Sequence, residues 1–222
     1  VNQDLKFYNL GCGWLSAVGY GLFGSKPRFL KDNLNFNYPP LIDYLHDLPS
    51  RFGRFDVYTK VSFATAALAL KDAGLLRREG KKNIGIIVGS SSGGYDNDLA
   101  YFKSTLEAKG SFTSPNLFSY TLPNVALGEI AVFFNFIGPI FCVGNQPDNP
   151  GEEAVFPALS LLESKQCEQI LVGWAEVARD IQDSGDNPKG AAFAVLSPTK
   201  TDGCKAEFTV GSKLRFSDLF KG

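Results

Sequence analysis

Two rhythms of apolar and polar positions run along the chain and predict strands interleaved with helices. Residues 56–73 read as a helix, because Val57, Val61, Ala64 and Leu68 recur at intervals of four, three and four and share one face. Asp56 stands where an N-cap residue belongs, and Gly74 where a left-handed C-cap residue belongs. Residues 83–89 (NIGIIVG) form an unbroken apolar run, the pattern of a strand buried on both faces. Residues 6–13, 169–173 and 191–196 read as further strands, 140–143 as a short buried strand, and 205–211 as a strand pairing antiparallel with 191–196. Helix signals recur over 96–109 and 123–135. The stretch 152–164 differs: Ala154, Val155, Phe156, Ala158, Leu159 and Leu162 leave it almost no polar face, so it predicts a helix buried on nearly every side. Pro157 inside it predicts a kink, or a start near Phe156.

Residues 25–53 hold Pro27, Pro39, Pro40 and Pro49, which break any long element. Phe36, Tyr38, Leu41, Ile42, Tyr44, Leu45 and Leu48 make this stretch too apolar for a free linker, so it is expected to pack as a loop-rich excursion of one domain spanning 1–222. Residues 77–82 (RREGKK) read as a solvated corner and 182–189 as a polar loop. The alternation of strands and helices predicts an α/β domain with a mixed, mainly parallel five-stranded sheet and helices on both faces.

Composition narrows what such a domain does. The 222 residues are 44% hydrophobic and 20% charged, the make-up of an ordinary globular protein. A chain of this length buries roughly 70% of its unfolded surface without a disulfide or metal staple. The 22 basic residues against 23 acidic ones give no electrostatic drive toward nucleic acid or an anionic membrane. The pairs Arg51 with Arg54 and Arg77 with Arg78 are too small to change that. No apolar window reaches a membrane span and no leader pattern opens the chain, so a cytoplasmic protein is expected. Cys12, Cys142, Cys167 and Cys204 form no C-x-x-C pair and read as buried, reduced thiols. His46 is the only histidine and methionine is absent, so a two-imidazole mechanism or a His-rich metal site cannot be built from this chain. No metal or cofactor is expected.

One motif carries a nucleophile. Gly89-Ser90-Ser91-Ser92-Gly93 matches G-x-S-x-G directly after a buried strand, which makes Ser91 a candidate for ester or thioester hydrolysis. The partner base is missing from its usual place, because His46 precedes Ser91 in the chain instead of following it. The same loop lacks the spacing of a P-loop or a dinucleotide fingerprint and reads as a tight turn of small residues. Asp96 and Asp98 form a D-x-D pair that favours the first turn of a helix more than a cation site. His46 reads as a surface or packing residue.

The order of these elements resembles the N-terminal half of β-ketoacyl synthases, the condensing enzymes of fatty-acid and polyketide assembly. The resemblance rests on Arg54-Phe55-Asp56 through Ala73-Gly74-Leu75, NIGIIVGSSSGG (83–94), Ser114-Pro115-Asn116-Leu117-Phe118 and Thr121-Leu122-Pro123-Asn124. It continues through Gly128-Glu129-Ile130-Ala131, Gly138-Pro139 and Leu171-Val172-Gly173-Trp174-Ala175-Glu176, and spans about residues 5 to 200. It implies a thiolase-like half fold. In active members a cysteine sits at the turn into the buried helix. Counting forward from Gly138-Pro139 puts that position at Pro147, and counting back from Gly173 puts it at Asp148. Neither supplies a thiol, and Cys142 lies too early, in the preceding strand. The histidine pair of such enzymes has no counterpart here.

The resemblance therefore implies a noncatalytic, chain-length-factor-like protein. Its expected partner is an active ketosynthase, an acyl carrier protein or a second copy, in fatty-acid or polyketide biosynthesis including aryl-polyene pathways. Apolar surface left over on the 152–164 helix is expected to mark the partner site. Phe133, Phe134, Phe136, Val155 and Phe156 are the candidate acyl or partner contacts, with plain core packing as the alternative for the three phenylalanines. The competing readings are a Ser91 hydrolase and a self-associating structural domain.

Overall fold

Strand β1 (Lys6–Ser16) alternates between two cores: Leu10 and Leu15 face one, Phe7, Cys12 and Trp14 the other. The computed structural model describes residues 6–31, 33–107, 110, 113–179, 187–209 and 214–221. With β2 (Gly19–Leu22), β3 (Ile84–Gly89), β4 (Ile140–Val143), β5 (Gln169–Glu176), β6 (Gly190–Ser197) and β7 (Ala206–Thr209), β1 builds a seven-stranded sheet in the order β2-β1-β6-β5-β3-β4, with β7 also on β1. The contiguous set β1-β6-β5-β3-β4 supplies the five expected strands, and β2 and β7 extend it at β1.

The expectation of a mainly parallel sheet is corrected. Only β3–β4 and β3–β5 run parallel, whereas β1–β2, β1–β6, β1–β7 and β5–β6 are antiparallel. Direction follows the connections, because parallel neighbours need a crossover and antiparallel ones do not. Helices α2 (Tyr95–Glu107), α3 (Pro115–Ser119) and α4 (Asn124–Phe134) lie between β3 and β4, and α5 (Glu152–Glu163) between β4 and β5. Among the described residues no helix separates β5 from β6. The 205–211 strand pairs with β1 and not with β6, since both edges of β6 are already taken by β1 and β5. Residues 210–211 of that strand, 108–109 of the expected 96–109 helix and 182–186 of the polar loop lie outside the described residues.

Helix α1 (Val57–Asp72) forms as its caps predict: the Asp56 carboxylate accepts the Thr59 N–H at 2.9 Å, and Gly74 takes φ +70°. Its expected one-sided burial is not what the structure shows. Twelve of sixteen residues are buried, and Val57, placed on the apolar stripe, is 45% exposed. Small side chains explain it: Ala64, Ala66, Ala67 and Ala69 let the helix settle onto β1, where Gly11 and Gly13 leave room. A Cβ on Gly13 would lie 2.5 Å from the Ala69 nitrogen.

Helices α1 and α4 pack on one face of the sheet and α5 on the other. The excursion packs against the α1 side through buried Leu41 and Leu45. The α5 helix runs unbroken from Glu152 through Pro157. Strand β4 is an edge strand and not a buried one, with Ile140 37% exposed.

Candidate functional site

The parallel strands β3 and β5 end side by side, and their carboxyl ends meet at the fully buried Glu176. Its carboxylate accepts the Ser91 N–H and Oγ–H (2.9 Å), the Ser92 N–H and Oγ–H, and the Asn145 Nδ2–H at 3.0 Å. A buried carboxylate needs such donors, because nothing else offsets its lost hydration. Asn145 passes the connection on: its Oδ1 accepts the Gly151 N–H at 2.8 Å. The GSSSG turn, the end of β5 and the start of α5 are thus one hydrogen-bonded unit.

This arrangement gives Ser91 a structural occupation. Its Oγ donates to Glu176 and receives the Asn187 amide at 3.0 Å, and no imidazole faces it. The carboxylate that holds the Ser91 hydroxyl proton also accepts from four other donors. His46 instead lines a groove of about 930 Å3 with Tyr44, Arg51, Arg77, Arg78 and Phe133. There Arg78 pairs with Asp47, and its guanidinium lies 4.4 Å from the Phe133 ring centroid. Asp96 and Asp98 fall in the first turn of α2, and both Asp96 oxygens accept the Arg179 N–H at 3.1 Å. Among the described residues no cluster of His, Cys, Asp or Glu can hold a metal ion.

Pro147 and Asp148 lie exposed in the turn ahead of Gly151, the left-handed N-cap of α5 (φ +91°). The start of α5 is closed by the chain itself. A Cβ on Gly151 would meet the Phe216 ring at 2.6 Å and Trp174 at 2.9 Å. The Phe216 N–H donates to Glu152 at 2.8 Å, and Leu219 O accepts from Asn9 and Cys12. Phe216, Leu219 and Phe220, in the 3-10 turn Phe216–Phe220, are buried with the α5 side chains. The thiols are free, Cys12 and Cys167 buried, Cys142 and Cys204 half-buried. Burial pushes Cys12 up to about 12 and Cys142 up to about 11, so neither is a ready thiolate.

The expected apolar contacts divide. Phe133, Phe134, Phe136 and Val155 are buried, at 8%, 0%, 7% and 6% exposure, as the core-packing alternative for the three phenylalanines expects, and none of the four is exposed to a partner. The phenylalanines are consumed by stacking around Phe63, whose ring lies 5.2 Å from Phe133 and 5.8 Å from Phe134. Phe156 alone is exposed, at 66%. On α5 the leftover apolar surface thus shrinks to one prominent side chain, because Phe216, Leu219 and Phe220 help cover the rest of that sheet face. The hub residues Glu176 and Asn145 escaped the sequence reading. The available signal was a lone charge ending the otherwise apolar run Ile170–Ala175.

The strand order and the helices on both faces define a thiolase-like half fold of the ketosynthase type. Residues 43–194 match the model of the β-ketoacyl synthase N-terminal domain, and the chain belongs to that family. Among solved structures, the ishigamide ketosynthase/chain length factor is similar over 87% of this chain and 58% of that one, at 16% identity and a TM-score of 0.64. A β-ketoacyl synthase from Burkholderia phymatum STM815 is similar over 87% and 59%, at 17% identity and 0.62. The ketosynthase ApeO in complex with its chain length factor ApeC, from Xenorhabdus doucetiae, is similar over 68% and 61%, at 18% identity and 0.52. This chain therefore spans about 60% of the length of the structures it matches. No curated protein matches the sequence. No helix among the described residues is long and apolar enough to cross a membrane.

Proposed function

We propose that this chain is a noncatalytic ketosynthase-like subunit that partners an active β-ketoacyl synthase in fatty-acid or polyketide assembly, where an acyl carrier protein delivers the chain. The observation that carries the reading is the start of α5. By the count from Gly138-Pro139 or from Gly173, the thiol position of condensing enzymes falls on Pro147 or Asp148, and the Phe216 ring is packed against Gly151. A helix N-terminus activates a thiol only where one is present and reachable.

Among the described residues β4 has no strand on its outer side, and that edge supports a partner. The Pro139 carbonyl accepts from Ile86 of β3 and the Val143 carbonyl from Ser90 just after it, so by strand alternation the backbone groups of Ile140 and Cys142 point away from β3. An unpaired edge with a half-exposed isoleucine is a template for another chain's strand. Similar structures include a ketosynthase/chain length factor and an acyl-carrier protein in complex with its ketosynthase, which supports such an assembly.

The test combines mass spectrometry with size exclusion. Incubated with acyl thioesters, the chain is expected to gain no acyl mass; mixed with an active ketosynthase, it is expected to co-elute. Ile140→Pro removes an N–H that β3 does not use and should weaken co-elution at unchanged fold. A covalent acyl adduct, or thioester turnover abolished by Ser91→Ala, would overturn the noncatalytic reading.

A further inference from the structure

Two stretches late in the chain join the domain by different means. Strand β7 pairs with β1 through its backbone, from Lys6↔Thr209 to Asn9↔Ala206. The turn Phe216–Phe220 does not. Among the described residues, the hydrogen bonds of its backbone to the rest of the domain run to side chains. The Phe216 N–H donates to Glu152 Oε1 at 2.8 Å, and Leu219 O accepts from Asn9 Nδ2 at 2.6 Å and Cys12 Sγ at 3.1 Å. Asn9 is fully buried, and its Oδ1 accepts the Gly11 N–H at 3.0 Å, so β1 itself sets where the amide points.

The turn also holds its own shape. Asp218 accepts the Arg215 N–H at 3.0 Å and the Lys221 ammonium at 2.6 Å, and the Phe216 and Phe220 rings lie 5.5 Å apart. Phe216, Leu219 and Phe220, spaced i, i+3 and i+4, are buried, whereas Arg215, Ser217 and Lys221 are exposed. The buried face lies against β1 and the start of α5, where Gly151 leaves the room that the Phe216 ring fills. Large apolar anchors on one face of a turn, with side chains reading its main chain, are how a groove recognises a short helical peptide. A segment that belonged to the sheet would instead share its backbone ladder, as β7 does.

We infer that the surface between β1 and the start of α5 is a peptide-binding groove for the pattern Phe-x-x-Leu-Phe, with Phe216–Phe220 as the ligand it holds in cis. Its ligand is one turn of peptide that offers an N–H to Glu152 and a carbonyl to Asn9 and Cys12. The test inserts a protease-cleavable sequence between Gly211 and Ser212 of the full chain, cuts it, and adds a fluorescein-labelled peptide of residues 213–222. Circular dichroism follows the fold. The cut chain should be folded with excess peptide present and should take up the labelled peptide, read as a saturable rise in anisotropy. Peptides carrying Leu219→Asp or Phe216→Ala should bind at least about tenfold more weakly. Cys12, mapped by mass spectrometry, should be protected from alkylation when the peptide is bound. A folded cut chain that binds no peptide, or that binds the Leu219→Asp peptide equally well, overturns the groove. Binding that leaves Cys12 unprotected overturns its location. A cut chain that stays unfolded even with excess peptide makes the segment core and not ligand, and overturns the inference as well.

Discussion

Helices α1 and α2 have similar lengths, sixteen and thirteen residues, and opposite fates: α1 buries twelve of its residues and α2 none. Apolar residues are denser on α1, ten of sixteen against six of thirteen, but density alone does not bury a helix. What differs is the surroundings each can accept. Alanines on α1 meet the bare backbone of Gly11 and Gly13, so the helix sinks between the sheet and α4. Bulky Tyr95, Tyr101, Phe102 and Leu106 on α2 find no such bed, and Tyr101 packs on Phe118 of α3. Burial is set by the fit of two surfaces, and a helix that lacks its counterpart within the chain keeps an apolar face free for another.

The sharpest way to break that contrast is Phe63→Ala. Phe63 is fully buried on α1 and touches the rings of Phe52, Phe55, Phe133 and Phe134. Removing it should cost about 3–5 kcal/mol in denaturant unfolding. A cost below about 1 kcal/mol would mean that α1 is not the centre of the core. Gly13→Val comes next, with an expected loss of about 1–3 kcal/mol, because its side chain would overlap the backbone of α1. Unchanged unfolding would show that α1 does not lie as close to β1 as its alanines allow.

Much of α1 was legible in advance for a local reason. Asp56 and Gly74 act on their own helix ends, so the spacing that names them also places them. The same cannot be said of β4. Ile-Phe-Cys-Val reads as a buried strand whether or not a further strand lies beyond it, and only the assembled sheet makes it an edge. Strand β7 was visible as a strand, but its partner depends on which edges remain free. Counting puts the thiol position of the resemblance at Pro147 or Asp148, whereas the packing of Phe216, some seventy residues later, on Gly151 at the start of α5 is a contact that no spacing reveals. Glu176 entered only as the last residue of the family-like stretch Leu171–Glu176. Its role required the serines of another loop.

The cap of α1 sharpens the comparison further. Asp56→Ala should cost about 1 kcal/mol by leaving the Thr59 N–H without its acceptor. Burial raises the Asp56 carboxyl above its ordinary value, with the Thr59 hydrogen bonds opposing. A carboxyl raised on folding favours the protonated native state, so that part of stability is complete below about pH 4 and is lost as pH rises through the folded value. Asp56→Asn keeps a capping oxygen without the charge. Measured as denaturant midpoints, it should gain on wild type as pH is raised from 3 to 7. A difference that stays flat or runs the other way would show that the hydrogen bonds outweigh burial.

The smallest expected effect belongs to α2. Phe102→Ala removes the same side chain type as Phe63→Ala, from a helix of similar length, yet its ring is 56% exposed. Without a cavity to leave behind, the unfolding free energy should stay within about 0.5 kcal/mol of wild type. Association with a ketosynthase should nevertheless weaken, because that ring's apolar area remains available to a partner. Phe63→Ala, at temperatures where it stays folded, should leave association unchanged. A loss of 2 kcal/mol or more for Phe102→Ala in the isolated chain would place that ring against some other part of the same molecule.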